Sequence, residues 1–320
     1  MNKVSLLICC YNGASYIDSC VQCILQQTFL NIEVIFVNDG STDDSIKLIE
    51  NYKEAIEKKG MKLHILSQKN QGAGYAASLG LQHATGDFIT CFDVDDYLYP
   101  ESIEKKVQFL IEHPDYDIVR TNGYEVCGDN KKLFITNENE KCNTNIFEAL
   151  LFGQTNNWAG SYMIRANKLW EVYPNHIIPG SRFGQNLQLL LATSYNHKSG
   201  FIDEPLMIYY RNNSSFTGKI KTIEENIKLL DGFKSIREQI LYDVLKIKDK
   251  KYSNKLNIFY SLRKKQLGID YNNKEIFNAN YIFLKSQNII SNLDNHYYYR
   301  FHNKFLISLY YRLLYFILKK

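Results

Sequence analysis

Short apolar runs and longer amphipathic stretches alternate along the first hundred residues. VSLLICC (4–10) is continuously apolar, the pattern of a strand buried in a parallel sheet. IEVIFVND (32–39), KLHILS (62–67) and DFITCFD (87–93) repeat the strand-length signal. Between them, SYIDSCVQCILQQ (15–27), STDDSIKLIENYKEAIEKK (41–59) and the Gly/Ala-rich GAGYAASLGLQHA (72–84) have helical spacing, with Ser41 and Thr42 as cap candidates for the second. Strand–helix alternation of this kind predicts an α/β fold in which helices cover both faces of a sheet.

Further along, 116–126 and 131–137 read as strands with Gly/Asn turns, 182–195 as a helix and 204–211 as a strand. Beyond Gly218 the period changes to Lys-rich helices over about 222–247, 253–266, 274–286 and 297–318. The expected division is therefore an α/β domain over 1–217 and a basic, aromatic-rich helical region over 218–320. Charge divides the same way. Residues 221–320 carry 19 Lys and Arg against 9 Asp and Glu, and the rest carry 19 against 25. The acidic part suits a metal site and the basic part an anionic surface.

The last apolar run, 305–318, has 14 residues and is interrupted by Arg312. That is short of the ~20 needed to span a bilayer. It suits a helix lying on the inner face of the plasma membrane, or one packed on its own domain or on a second copy of the chain. The seven cysteines, Cys9, Cys10, Cys20, Cys23, Cys91, Cys127 and Cys142, show no disulfide spacing and mostly sit in apolar runs. They read as reduced thiols of a cytoplasmic protein. Cys20-x-x-Cys23 has no second pair to complete a zinc site. The N-terminus reads as a first strand rather than a signal peptide.

In parallel α/β sheets, ligands bind at the carboxyl ends of the strands. Tyr11-Asn12-Gly13, Asp39-Gly40 and Asp93-x-Asp95-Asp96 all fall at such ends, so three polar clusters converge on one edge. Positions i and i+2 of a strand face the same way, so Asp93 and Asp95 can aim at one point. Magnesium or manganese, a hard ion held by one or two carboxylates plus substrate phosphates, would relieve their repulsion. The alternative is a solvated strand end. There is no P-loop, no Ser-His-Asp signature and no nucleic-acid motif. The histidines lack metal-ligand spacing, and His176 is either an acceptor contact or a solvated loop residue.

VSLLICCYNGASYI, IEVIFVNDGSTDDS, NQGAGYAASLG and GDFITCFDVDDYLYP, in that order and at strand-plus-loop spacing, closely resemble the GT-A glycosyltransferases of family 2. The resemblance covers about residues 3–215. It implies a mixed sheet flanked by helices, with a nucleotide-binding half followed by an acceptor-binding half. It implies inverting, metal-dependent transfer of a sugar from a nucleotide diphosphate donor, a UDP-sugar. The acceptor would be a bacterial surface polysaccharide, as in capsule or lipopolysaccharide, or a lipid-linked glycan. Carried over by position, Cys9 and Tyr11 lie beside the nucleotide and Asp39 accepts a hydrogen bond from the base. Asp93 approaches the ribose or sugar and shares the metal with Asp95, and Asp96 sits behind these ligands or near the sugar.

Two departures stand out. Ala77-Ser78 replaces a frequent Arg-Asn pair, which leaves Arg211 as a replacement cation for the diphosphate or as an ordinary surface residue. Gln185-Asn186, in GQNLQ, stands where many members have Glu-Asp, the Asp being the general base. An amide has no usable basicity. Asp96, Asp203 or Glu204 could serve instead, or an oriented hydroxyl could lose its proton late. Gln185 and Asn186 could also be no more than a helix cap. The rival reading is a nucleotide-sugar-binding partner of another transferase. A nucleotidyltransferase would need a basic loop after the first strand, and CCYNGASYI has none.

Overall fold

The computed structural model of the protein describes residues 2–211 and 221–318. Among these, residues up to 211 together with Ile236–Ile247 form one compact unit, and 221–235 with 248–318 form a second. The expected boundary at 217/218 lies outside the described residues.

The first unit holds nine strands in one mixed sheet. They are β1 (Val4–Cys10), β2 (Ile32–Asn38), β3 (Lys62–Ser67), β4 (Phe88–Cys91), β5 (Tyr97–Leu98), β6 (Ile118–Cys127), β7 (Asn130–Leu133), β8 (Tyr162–Arg165) and β9 (Ser199–Tyr210). The order is β3-β2-β1-β4-β8-β6-β9-β5, with β7 paired to β6. The first four strands are parallel, as their apolar runs predict. β8 then runs antiparallel to both β4 and β6. β5, at two residues, is too short to show a period, and the four-residue β8 lies outside the strand–helix alternation of the first hundred residues.

Nine helices open the numbering: α1 (Ala14–Leu25), α2 (Ser45–Asn51), α3 (Lys53–Lys58), α4 (Ala73–Leu81), α5 (Ser102–Glu112), α6 (Glu138–Lys141), α7 (Phe147–Leu151), α8 (Ala166–Val172) and α9 (Asn186–Ser194). Val4, Leu6 and Ile8 of β1 join the buried cluster with α1 and α5. Leu7, Ile35 and Val37 face α4, where Gly80 lets the helix approach: a Cβ there would sit 3.1 Å from Val37 Cγ2. Both faces of β1 and β2 are thus covered, which is why these strands are mostly apolar; their buried polar residues Ser5 and Glu33 bond each other. The single helix expected over 41–59 is two, α2 and α3, meeting at Tyr52.

The second unit is helical: α10 (Ile223–Gln239), α11 (Lys250–Asp270), α12 (Lys274–Ser286), α13 (Asn292–Phe301) and α14 (Phe305–Leu318), with a π-helical turn (Ile240–Val244) after α10. The last turn of α10 and the π-helical turn belong to the first unit, where Arg237 Nε donates to Leu151 O and closes α7. The one helix expected over 297–318 is two. α13 starts earlier, on a Ser291–Asp294 capping box. It stops at Asn303, whose φ of 56° a helix cannot continue.

Candidate active site

The carboxyl ends of β1 and β2 are tied together, with Asp39 N donating to Cys10 O at 2.8 Å. Past β1 the chain turns at Asn12, which holds the left-handed conformation (φ 51°) that asparagine tolerates. Asn12 N donates to Ser41 Oγ, and Asn12 Oδ1 accepts from Thr42 N. Ser41 and Thr42 therefore hold the β1 loop and do not cap a helix. α2 starts after Asp44, without a side-chain cap. Tyr11 stands 53% exposed at this edge. Cys9 Sγ lies 3.8 Å from Ala73 O. Burial, then the neighbouring Cys91, Asp93 and Asp39, raise its thiol well above the usual range, so it is neutral.

Asp39 is 3% exposed and its carboxylate accepts three hydrogen bonds: Gln68 Nε2 and Gln71 N on Oδ1, at 2.7 and 2.9 Å, and Gly72 N on Oδ2 at 2.7 Å. The residue expected to read a base is thus also the pin of the β3–α4 loop. Gly72 (φ +108°) leads into α4. A Cβ there would lie 2.4 Å from Arg182 Cα. Gly74 N donates to Ser181 O at 2.9 Å. The segment 181–184 therefore lies on the N-terminus of α4, and exposed Arg182 sits beside the loop. Sequence reading missed Arg182, because nothing local marks it.

At the end of β4, Asp93 and Asp95 are half-buried and Asp96 is 4% exposed. Asp93 Oδ1 accepts from Gln185 Nε2 at 2.9 Å. Asp96 Oδ1 accepts from Tyr210 N at 3.1 Å, and its Oδ2 is buried without a partner among the described residues. Burial, then the charge of Asp95, push the Asp93 carboxyl up, partly countered by Gln185. Burial, then the charges of Asp93 and Asp95, push Asp96 well up. Burial also raises Asp95. Among the described residues no cation counters any of the three, so a divalent ion fits here on charge and on the orphaned oxygen. Among the described residues no group of three or more His, Cys, Asp or Glu is arranged to hold an ion unaided. The donor set is one that phosphate oxygens would complete.

Gln185 and Asn186 begin α9. Gln185 occupies the cap position, yet its side chain goes to Asp93 and caps nothing. Asn186 Oδ1 accepts from the buried Tyr162 hydroxyl at 2.8 Å. The two amides thus brace the acidic strand end and the floor under it. The other base candidates are engaged elsewhere. Asp203 accepts from Lys141 and Asn122, each bond lowering its pKa, and Glu204 pairs with Lys105. Arg211 is exposed and pairs with Glu125 at 3.2 Å. His176 stacks on Trp170 with centroids 3.7 Å apart. Cys20 and Cys23 are buried, as expected, while Cys127 and Cys142 are exposed.

A parallel sheet with antiparallel additions, a pinned loop beside β2 and an acidic end on β4 define a GT-A-type α/β glycosyltransferase fold. Solved structures bear this out. S. aureus TarS 1-349 in complex with UDP-GlcNAc matches with a TM-score of 0.58 at 17% identity, over 97% of this chain and 92% of that one. The mannosyltransferase PcManGT from Pyrobaculum calidifontis, in complex with GDP-Man and Mn2+, matches with 0.55 at 13% identity, over 97% and 85%. The sequence pattern of glycosyl transferase family 2 matches residues 5–173, just over half of the chain, and the chain belongs to that family. An uncharacterized glycosyltransferase of Haemophilus influenzae is 34% identical over 142 residues, 43% of this chain and 54% of that one. Glycosyltransferase GlyG of Streptococcus pneumoniae is 28% identical over 221 residues, 66% of this chain and 72% of that one. The match spans only 34% of another relative, the uncharacterized glycosyltransferase YibD of Escherichia coli.

Proposed function

We propose that the protein is an inverting, metal-dependent glycosyltransferase. It moves a hexose-type sugar from a nucleotide diphosphate donor, UDP-linked, to a bacterial surface polysaccharide or a lipid-linked glycan. One observation carries this reading: three crowded carboxylates at the end of β4 have no countering cation among the described residues. TarS with UDP-GlcNAc and PcManGT with GDP-Man and Mn2+ support the donor class. In this reading Asp39 and Tyr11 flank the base, and Asp93 and Asp95 hold the ion. A bound ion supplies charge that stabilises the departing diphosphate. Arg182, beside the N-terminus of α4, supplies the phosphate-side charge that Ala77-Ser78 lacks.

Transfer forms a bond from the acceptor oxygen to the anomeric carbon and breaks the bond to the diphosphate oxygen. The acceptor's proton must leave. Asp203 and Glu204 are tied to lysines. We assign the role to Asp96, whose Oδ2 has no partner among the described residues. Gln185 holds Asp93 in position and takes no proton. The test is turnover of UDP-sugars by the purified chain with manganese. Asp95→Ala should abolish it; full activity of that variant in metal would reject the assignment. A second reading is favoured by the amide pair at 185–186: a donor-binding partner subunit. Donor binding without transfer or hydrolysis across acceptors would select it.

A further inference from the structure

The second unit ends in a surface that water alone does not satisfy. Nine of the fourteen residues of α14 are large, apolar and exposed, from Phe305 at 74% and Leu306 at 78% to Leu318 at 73%. Its polar seam faces inward: Ser308 Oγ bonds His296 at 2.7 Å, and Tyr311 stacks on Tyr299 of α13. At 100° per residue the exposed apolar positions sweep about 220° of the circumference. A helix partner covers a stripe of roughly 100°.

The charge around this arc has one sign. Residues 295–320 contain no Asp or Glu and carry Arg300, Lys304, Arg312, Lys319 and Lys320. Among the described residues, Arg300 and Arg312 form no ion pair. Arg300 lines a cavity of about 510 Å³ with Asn272, Asn303, Phe301, Phe305 and Ser308, at the end of α13 where the arc begins. A second copy docking through this same arc would bring the same cations and no acid to meet them. An arc wider than one helix contact, edged by cations, matches a lipid interface with negative headgroups. At 14 residues, about 21 Å, α14 is too short to span a bilayer and fits one lying flat.

We infer that α14 docks in the plane of an anionic phospholipid surface. Its apolar arc would enter the acyl boundary, and Arg300, Lys304 and Arg312 would take phosphate headgroups. This goes beyond the transferase reading and does not rest on it.

The full chain, without donor or metal, is sedimented with vesicles of phosphatidylcholine alone or of equal parts phosphatidylglycerol and phosphatidylcholine. Binding to the anionic vesicles, weakened by salt, is expected. Arg300→Ala and Arg312→Ala should each weaken it about fivefold. Leu306→Asp with Leu313→Asp, both in the middle of the exposed arc, should release the protein. Circular dichroism checks that each variant is folded, and Arg312→Glu, on the rim, is a second probe that leaves the arc intact. Three results would overturn the inference: no sedimentation with anionic vesicles, equal binding to neutral ones, or a concentration-dependent dimer that Leu306→Asp abolishes. Because no sugar transfer is measured, this test and the Asp95→Ala test can fail separately.

Discussion

Asp39→Asn is the substitution whose consequence the geometry fixes best. The carboxylate receives Gln68 Nε2, Gln71 N and Gly72 N within 2.9 Å, in a site 3% exposed. An amide keeps the shape but replaces one acceptor with a donor. The less costly orientation puts the amide nitrogen on the Oδ2 side, against Gly72 N. That loses a hydrogen bond to a charged group and sets two N–H donors facing each other. Together these cost about 2–4 kcal/mol. If the penalty is met by releasing the 68–72 loop, donor affinity falls by at least about 30-fold, while global stability falls less. Titration calorimetry with UDP and manganese, beside a melting curve, measures both. Gln68→Leu separates the pin from direct contact with a base, because it removes one bond to the carboxylate and leaves Asp39 in place. About tenfold weaker UDP binding is expected for it. Normal UDP binding by both variants would refute the reasoning.

Other substitutions test other links. Arg182→Ala should raise the donor KM about tenfold, with Lys recovering part of it, if a guanidinium grips the diphosphate; an unchanged KM removes Arg182 from the site. Gly72→Ala combines a left-handed backbone with a Cβ 2.4 Å from Arg182 Cα, and should cost at least about 1–3 kcal/mol in urea unfolding. Glu33 of β2 is an acid-stability residue. Burial alone would raise its pKa, but bonds from Ser5, Lys3 and Thr85 outweigh that and hold it at about 2. A carboxyl lowered in the folded state stabilises above its unfolded pKa and loses that contribution as pH falls toward 2. The loss is about 3 kcal/mol between pH 4.5 and 2. Glu33→Gln should therefore be less stable at pH 7 and flatter across that window; a parallel pH curve would contradict this.

What the sequence made legible was whatever a local pattern encodes. β1, β2 and β4 were readable because each is a run buried on two faces, β3 because its strand-length segment repeats their spacing, and position at a strand end was enough to bring Asp39 and Asp93 to one edge. β8 was not, because YMIR lies outside the strand–helix alternation and its pairing to β4 is a fact about distant chain. The same reason hid Arg182 and Tyr162. Arg182 reaches the loop only because Gly72 and Gly74 leave room for the 181–184 segment. Tyr162 matters only through Asn186. The amide pair shows the limit most sharply. Read locally, Gln185-Asn186 looked like a lost base or a helix cap. In three dimensions Gln185 spends its donor on Asp93, next to a second carboxylate and a third with an orphaned oxygen. A glutamate at that position would add a fourth negative charge to a cluster that has no countering cation among the described residues. With Asp93 as crowded as it is, the neutral amide is the residue type that can touch it without worsening the repulsion, so Gln185 need not mark a dead enzyme.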